Sequence, residues 1–372
     1  MKIVTIIGAR PQFIKSAMVS RAIKEFNTID KAHPIREYIL HTGQHYDKNM
    51  NDVFLDELDI KKPTWQLHCG GLISRARMLA EMLTGIEKAL LECQPDYVLV
   101  YGDTNTTLAG AMAASQLHIP VLHVEAGLRS FNKQMPEEIN RILTDHIASA
   151  LFCPTYKAIE NLAKENLTNG IFYTGDVMYD AAIAFGQMAE EKSEILSVLG
   201  LSSKKFRLCT VHRAENTNNP ERLTQIILAL VEIATPDCPV IFPLHPRTKI
   251  YLHNYNLNAT IASNEALRMI DPVNYLDMIM LEKNAETIFT DSGGVQKEAY
   301  FHRTPCITLR KETEWIETIE AGWNQLAGYN TEKIIECLGN NPQRTEIKEY
   351  GDGRASEKII NAITRCNESN FI

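Results

Sequence analysis

The chain has 372 residues, of which 45% are hydrophobic and 23% are charged, and its formal net charge is −8. A chain of this length usually folds as two domains, each with its own core. The acidic balance offers no electrostatic footprint for nucleic acid. Because no apolar run approaches the roughly 20 residues that span a bilayer, we expect neither nucleic acid nor a membrane as a partner.

The N-terminus and the cysteines indicate the compartment. The first apolar run, residues 3–7, is too short for a signal peptide and leads directly into a turn. The eight cysteines are at least 24 positions apart (93 − 69 = 24), which excludes Cys-x-x-Cys motifs. The histidines lack a metal-binding spacing such as His-Glu-x-x-His. We therefore expect a cytoplasmic protein with reduced cysteines and no bound metal.

Short apolar runs alternate with longer amphipathic stretches along most of the chain, which is typical of βαβ units and a parallel sheet. A connection marked by Gly and Asn, residues 166–180, separates two series of such runs, and a helix is predicted at 355–365. The predicted strands are 3–7, 35–41, 97–101, 119–124 and 151–153, followed by 206–211, 240–243, 267–270, 287–290 and 306–309. This pattern predicts two doubly wound α/β domains that bind ligands at the carboxyl ends of their strands.

In the first half, a carboxylate follows each of two neighbouring predicted strands. Asp103 follows residues 97–101, and Glu125 follows residues 119–124. Asp103 could simply cap the next helix. A carboxylate directly after a buried strand, as at Glu125, needs a partner such as Arg129 or a chemical task.

Two further acids, Glu137 and Glu138, come directly after Pro136. Acids in a first turn favour the start of a helix, so these two could be structural. They could equally join Asp103 and Glu125 at a site.

The second half carries features suited to phosphate. In "TDSGGVQKEA", Ser292, Gly293 and Gly294 connect a strand to a helix, where backbone N–H groups and the helix N-terminus favour an anion. The same turn could be a plain helix cap. Two other strands of this half end in a histidine followed by an arginine, with His212-Arg213 after one and His245 after the other. Together these features predict a diphosphate site.

The first turn of the chain offers further cations. "GARPQFIK" places Arg10 and Lys15 after the first strand, where either could reach a phosphate, although Lys15 could also be a solvated surface charge. The turn does not read Gly-x-Gly-x-x-Gly, and no Gly-x-x-x-x-Gly-Lys-Ser/Thr occurs in the chain. We therefore expect no nicotinamide cofactor.

Eight segments resemble, in type and order, motifs of the non-hydrolysing UDP-N-acetylglucosamine 2-epimerases, from residue 2 to about residue 360. They are "GARPQ", "GDTNTTLAGAMAA", "HVEAGLRS", "PEEINR", "VHRAENT", "LHPRT", "DPVNYLDM" and "TDSGGVQKEA". The resemblance implies two Rossmann-like domains of glycosyltransferase-B type facing a cleft, here residues 1–174 and 175–355. It also implies a C-terminal helix, within 356–372, that packs back on the first domain, and a homodimer.

The resemblance further implies an activity without cofactors. Members interconvert UDP-GlcNAc and UDP-ManNAc by eliminating UDP across C1–C2 and adding it back to a 2-acetamidoglucal, and their products feed surface polysaccharides. The catalytic positions would be Asp103, Glu125, Glu137 and His212. Substrate contacts would come from Arg10, Lys15, Arg213, His245, Met278, Ser292, Gly293, Gly294, Glu298 and Trp315. Gln44 and His45 match a segment that forms a regulatory UDP-GlcNAc site in some members.

The sequence departs from the common family pattern at Ala9, where threonine is usual, at Gln12, where glutamate is usual, and at Trp315, where arginine is usual. These variants are more similar to the branch that acts on UDP-2,3-diacetamido-2,3-dideoxy-glucuronate, which is the alternative substrate. A glycosyltransferase of the same architecture and a hydrolysing epimerase are the alternative activities.

Overall fold

The computed structural model describes residues 1–44, 60–71 and 74–369. The chain divides into two compact units: Met1–Ala181 together with Lys348–Ile372, and Ala182–Ile347. The sequence places the joins after residues 174 and 355, whereas the contacts divide the chain after Ala181 and Ile347.

Within the described residues, the first unit contains a seven-stranded sheet in the order β3-β2-β1-β4-β5-β6-β7, and every pairing is parallel. Its central strands are almost continuously buried, as expected when helices cover both faces of a parallel sheet. The strands are β1 (Lys2–Ile7), β2 (Arg36–His41), β3 (Trp65–Gln66), β4 (Tyr97–Tyr101), β5 (Val121–Val124), β6 (Ala150–Cys153) and β7 (Ile171–Tyr173).

Helices connect most successive strands of this sheet, as in a doubly wound fold. They are α1 (Arg10–Ile29), α2 (Arg75–Cys93), α3 (Asn105–Gln116), α4 (Pro136–Ile147), α5 (Tyr156–Lys164) and α6 (Val177–Lys192), the last crossing the division between the units. The alanine-rich α3 lies close to the sheet, because a Cβ added to Gly110 would come within 2.9 Å of Val100. A short 3₁₀ helix, Lys348–Tyr350, and the C-terminal α16 (Ala355–Ser369) complete this unit, and α16 contacts α1.

The second unit repeats the architecture with a six-stranded parallel sheet in the order β10-β9-β8-β11-β12-β13. Its strands are β8 (Arg207–Thr210), β9 (Val240–Pro243), β10 (Leu267–Ile270), β11 (Ile288–Thr290), β12 (Cys306–Thr308) and β13 (Asn324–Leu326). Its helices are α7 (Ile195–Val198), α8 (Ala214–Thr217), α9 (Pro220–Ile233), α10 (Pro246–Asn254), α11 (Asn258–Ala262), α12 (Tyr275–Asn284), α13 (Gly293–Phe301), α14 (Ile316–Glu320) and α15 (Thr331–Gly339).

The prediction of two Rossmann-like domains with parallel sheets is confirmed. Each of the ten predicted strands overlaps an observed strand, but β3, β7 and β13 were not predicted. The segment 166–180, predicted as a connection, in fact contains β7 and the first residues of α6. Across the described ranges, no helix is long and apolar enough to cross a bilayer.

Candidate functional site

In the first unit, the carboxylates of Asp103 and Glu125 follow the adjacent strands β4 and β5. The two loops are joined by a backbone hydrogen bond from Gly102 to Val124, at 2.9 Å. Gly102 has φ 63°, and a Cβ placed there would lie 3.1 Å from Oε2 of Glu125. Any side chain at residue 102 would therefore press on the Glu125 carboxylate. Because Gly102 directly precedes Asp103, the two acids lie near each other.

Lys15 is a partner of Glu125, and its ammonium forms an ion pair with Oε2. The side chains of Lys15 and Glu125 are only 9% and 12% exposed. Arg129, offered by the sequence as one possible partner of Glu125, pairs with Asp145 and Glu165. Lys15, a predicted substrate contact, is a cation beside Glu125. Arg10 opens α1 at the end of the same turn.

Asp103 is held by Arg141, a residue of α4 that the sequence analysis did not select. One end of the guanidinium contacts Oδ2 of Asp103, and the other donates to Oε2 of Glu138 at 2.8 Å. Burial alone would lower the pKa of Arg141, but the charges of Asp103, Glu138 and Glu125 raise it overall. Arg141 therefore stays charged and links three carboxylates electrostatically.

The two acids that open α4 have different surroundings. Glu138 is 1% exposed and accepts hydrogen bonds from Ser130 N, Ser130 Oγ and Phe131 N at 2.8–2.9 Å. These donors and Arg141 outweigh burial and lower the pKa of Glu138. Glu137, the predicted catalytic acid, is exposed at the helix start.

The helix cap Thr104 and the buried Gln12 fix the loops around these acids. Thr104, and not Asp103, caps α3 by accepting from Thr107 N. Gln12 accepts from Gly8 N and Ala9 N, and it donates to the Tyr101 carbonyl and to the hydroxyls of Thr104 and Thr107. Gln12 thereby joins the turn after β1 to the loop after β4.

The expected regulatory pair is described only in part. Gln44 Oε1 accepts from the backbone N–H and the hydroxyl of Thr106, at 3.0 and 2.9 Å, and so contacts the first turn of α3. His45 lies outside the described residues.

In the second unit, the buried carboxylate of Asp291 organises the ends of β8 and β11. It accepts from the backbone N–H groups of His212 and Arg213 at 3.1 and 3.0 Å and from Nδ2 of Asn216 at 3.1 Å. Nδ1 of His212 lies 3.2 Å from the same carboxylate. Asp291 therefore orients the His212 ring and turns Nε2 away from itself.

A second histidine lies beside the first. The rings of His212 and His245 have centroids 5.6 Å apart. His245 caps α10 by accepting from Arg247 N at 3.1 Å. Burial, His212 and Arg247 together lower the pKa of His245, so its imidazole is neutral at pH 7. The two histidines, expected from separate motifs, are thus brought together.

The Ser292–Gly294 turn opens α13, with Ser292 as its N-cap residue accepting from Val295 N. Three polar groups surround Gly293: a Cβ there would lie 3.5 Å from Nε1 of Trp315, 3.6 Å from Glu314 and 3.8 Å from Arg213. The helix N-terminus, Arg213 and the indole N–H thus lie close together, next to a Glu314 carboxylate that is itself paired with Arg310, and the three donors suit an anion.

The remaining expected contacts lie around the same helix. Lys297 stacks its ammonium 3.9 Å from the centre of the Trp315 ring. Tyr275 donates to Glu298 at 3.4 Å. Met278 packs against the core cluster under α12, so part of its side chain serves packing. Within residues 1–44, 60–71 and 74–369, no group of three or more His, Cys, Asp or Glu side chains is suited to a metal ion.

Two residues central to this geometry, Arg141 and Asp291, were quoted in motifs but not selected. Arg141 stands three positions after Glu138 on a helix, a spacing that places them on one face and was available as a signal. Asp291 ends a buried strand, as Glu125 does, and the same reasoning about an acid after a strand would have found it.

Comparison with known proteins shows to which family this chain belongs. The family model described as UDP-N-acetylglucosamine 2-epimerase matches residues 27–364. A UDP-N-acetylglucosamine 2-epimerase homolog of Methanococcus maripaludis is 51% identical over 98% of this chain and 99% of its own. The UDP-2,3-diacetamido-2,3-dideoxy-D-glucuronate 2-epimerase of Pseudomonas aeruginosa is 47% identical over 98% of this chain and 100% of its own.

A solved structure is similar over the same extent. The crystal structure of the Methanocaldococcus jannaschii UDP-GlcNAc 2-epimerase in complex with UDP-GlcNAc and UDP superposes with a TM-score of 0.87, at 44% identity, over 98% of this chain and 100% of that chain. The chain therefore belongs to the UDP-N-acetylglucosamine 2-epimerase family and is an isomerase.

Proposed function

We propose that this enzyme interconverts UDP-GlcNAc and UDP-ManNAc without net hydrolysis, by eliminating UDP to 2-acetamidoglucal and adding it back. The observation that carries the proposal is the pair of carboxylates, Asp103 and Glu125, each held by its own cation after adjacent strands. Inversion at C2 requires a proton to leave one face of the sugar and to return on the other. Two separate acid–base groups meet that requirement.

The C2 hydrogen is not next to a carbonyl, so it is not acidic in the ground state. Departure of UDP must therefore build positive character at C1 before the proton leaves. In this proposal Asp103 and Glu125 stabilise that charge and exchange the proton, with Glu137 as a third acid at the start of α4. Elimination breaks the C1–O and C2–H bonds, and re-addition forms both again from UDP and the proton.

The nucleotide contacts in this proposal come from the second unit. His212, oriented by Asp291, donates to the departing diphosphate through Nε2, and His245, Arg213 and the Ser292–Gly294 turn add donors and positive potential. Glu298 accepts from the ribose hydroxyls. Arg10, Lys15, Met278 and Trp315 complete the predicted substrate contacts.

Incubation with UDP-GlcNAc in deuterated water tests the reaction. We expect UDP-ManNAc to form with deuterium at C2 and no stoichiometric accumulation of UDP. A hydrolysing enzyme would release free ManNAc and one UDP per turnover. A glycosyltransferase would leave C2 unlabelled and transfer sugar only after an acceptor is added.

Variants of the two carboxylates test the assignment. Asp103→Asn and Glu125→Gln should each lower turnover by a factor of about 100 or more while UDP binding, measured by calorimetry, persists. Glu87→Gln, an exposed position on α2, is the matched control and should have wild-type turnover. Near-normal turnover in either test variant would contradict its role.

A second substrate, UDP-2,3-diacetamido-2,3-dideoxy-glucuronate, is favoured by one observation. The relative with that named activity is 47% identical over its whole length. Assays with both nucleotide sugars side by side decide between them through kcat/KM. We further propose that the product enters surface polysaccharide synthesis in the cytoplasm and that the enzyme is a homodimer, which sedimentation tests.

A further inference from the structure

A fully buried histidine of the first unit lies close to the turns that carry Asp103 and Glu125. His123, on β5, is fully buried. Its Nε2 lies 2.7 Å from the Gly102 carbonyl, and its Nδ1 lies 2.7 Å from Oδ1 of Asp145. Because a peptide carbonyl can only accept, Nε2 must carry a proton and donate it.

The other nitrogen faces an ionised carboxylate. Oδ2 of Asp145 accepts from Nη1 of Arg129 at 2.7 Å and from Gly127 N at 3.1 Å. Burial alone would raise the pKa of Asp145, but His123 and Arg129 lower it overall. An ionised carboxylate also only accepts, so Nδ1 must donate as well. Each ring nitrogen of His123 therefore faces a group that can only accept.

Charged neighbours surround the buried ring of His123. Arg129 also donates to both oxygens of Glu165 at 2.7 Å, and His146 lies 3.2 Å from Glu165. On β6, burial raises the pKa of the Cys153 thiol, which therefore stays neutral beside Asp145. His123 and Arg129 thus face the two carboxylates of Asp145 and Glu165, so that a positive charge on His123 would be balanced by its neighbours.

The hydrogen bond between His123 and the Gly102 carbonyl lies close to both proposed catalytic acids. Gly102 immediately precedes Asp103, and His123 stands two residues before Glu125. Both loops turn through left-handed backbone, with φ 63° at Gly102 and 70° at Glu125, and the second is strained for a residue other than glycine. The hydrogen bond between His123 and the Gly102 carbonyl joins β5 to the loop after β4 at this point, and a positive charge on the ring would strengthen it.

We propose that His123 is a positioning residue: it carries two ring protons and, through the Gly102 carbonyl, fixes the backbone that presents Asp103 beside Glu125. Its effect on turnover rests on the proposed epimerase function. Its protonation does not.

Nitrogen-15 NMR of the histidine side chains in the full-length protein tests the protonation. The signals of His123 are assigned as those that disappear in His123→Gln. At about pH 8, where an unperturbed imidazole is neutral, we expect both ring nitrogens of His123 to show N–H character. An unprotonated nitrogen at that pH would overturn the proposal.

Two isosteric variants test the positioning role. The amide of His123→Gln reaches toward Gly102, as Nε2 does, whereas that of His123→Asn stops near Asp145, as Nδ1 does. We expect kcat to fall about tenfold in His123→Gln and about 100-fold in His123→Asn, with KM changed less than threefold in both. Thermal unfolding confirms that each variant is folded under assay conditions.

A control separates the hydrogen bond to Gly102 from the rest of the network. Glu165→Gln removes the far carboxylate and should keep kcat within about twofold of wild type. Equal kcat values in His123→Gln and His123→Asn would show that packing alone matters and would overturn the positioning role. If the wild-type enzyme epimerises no UDP-sugar, the proposed function fails, while the NMR result still decides the protonation.

Discussion

Lys15 and Glu125 are 110 positions apart in the chain, yet they form a largely buried ion pair between α1 and the turn that follows β5. The pair joins the second turn of α1 to the acid at the end of a central strand. Glu125 has a left-handed backbone conformation at the end of β5, which fixes the direction of its side chain. The ammonium of Lys15 therefore meets a carboxylate that the backbone already holds in place. The pair is therefore part of the architecture as well as of the proposed chemistry.

Energetic coupling between these two residues is the first prediction. The pair is largely shielded from solvent, so Lys15→Met and Glu125→Gln should each destabilise the protein, and the double variant should lose less than the sum. We expect a coupling free energy of about 1 kcal/mol or more, measured by urea unfolding of the four proteins. Lys88→Met, exposed on α2, controls for loss of a lysine. Additive losses would contradict the pairing.

The second prediction concerns acid stability. Burial alone would raise the pKa of Asp291, but the hydrogen bonds from His212 and from backbone N–H groups lower it overall. This carboxylate therefore stabilises the folded state above about pH 4, its unfolded value, and the stabilisation is lost as the pH falls through the lower folded value. Below about pH 4, the free energy of unfolding of the wild type should fall more steeply with pH than that of Asp291→Asn.

Urea unfolding at a series of pH values measures this difference. Asp237→Asn, in an exposed turn of the same unit, should keep the wild-type slope. Parallel curves for the wild type and Asp291→Asn would show that Asp291 contributes no pH-dependent stability.

The third prediction concerns Gln12, which makes five hydrogen bonds from a buried position. Gln12→Ala leaves Gly8 N, Ala9 N and the Tyr101 carbonyl without this partner. We expect the free energy of unfolding to fall by about 2–4 kcal/mol, since each unsatisfied buried group costs about 1–3 kcal/mol. Thermal and urea unfolding measure the loss. Gln116→Ala, exposed at the end of α3, should change stability by less than about 0.5 kcal/mol.

The fourth prediction concerns Trp315, whose ring covers the ammonium of the buried Lys297. Trp315→Arg, which introduces the residue usual in the family, removes the cation–π contact and brings two cations together. We expect a loss of about 2 kcal/mol in the free energy of unfolding. Adding Lys297→Met should recover part of it, and Trp315→Phe should lose less than Trp315→Arg. Equal stability of Trp315→Arg and the wild type would contradict the contact.

The fold was largely readable from the sequence because both sheets are parallel and covered on both faces. Their strands are therefore short apolar runs, and ten such runs were found. The missed strands β3, β7 and β13 have two or three residues each. So few residues cannot show the pattern of apolar positions that identifies a strand. β7 lies inside a stretch rich in Gly and Asn, which local sequence alone reads as a turn.

For the site, the sequence predicted which residues follow the strands but not which of them pair with one another. Asp103 and Glu125 could be placed together because parallel strands bring their carboxyl ends to one edge. Which cation pairs with which acid depends on side-chain reach across tens of residues, as with Arg141 and Asp103, 38 positions apart. No spacing rule encodes such a contact, and so the sequence could offer Arg129 as a possible partner of Glu125 but could not identify Lys15 in that place.

The discontinuity of the first unit has a consequence for biosynthesis. Its last helix, α16, buries Ile359, Ile360 and Ile363, contacts α1, and has its first turn held by the Asp180 carboxylate. These residues leave the ribosome only after the whole second unit, which is an uninterrupted segment and can fold first. Until α16 has been synthesised, the face of α1 that it covers stays exposed, and a chain cut short before residue 355 would keep it so.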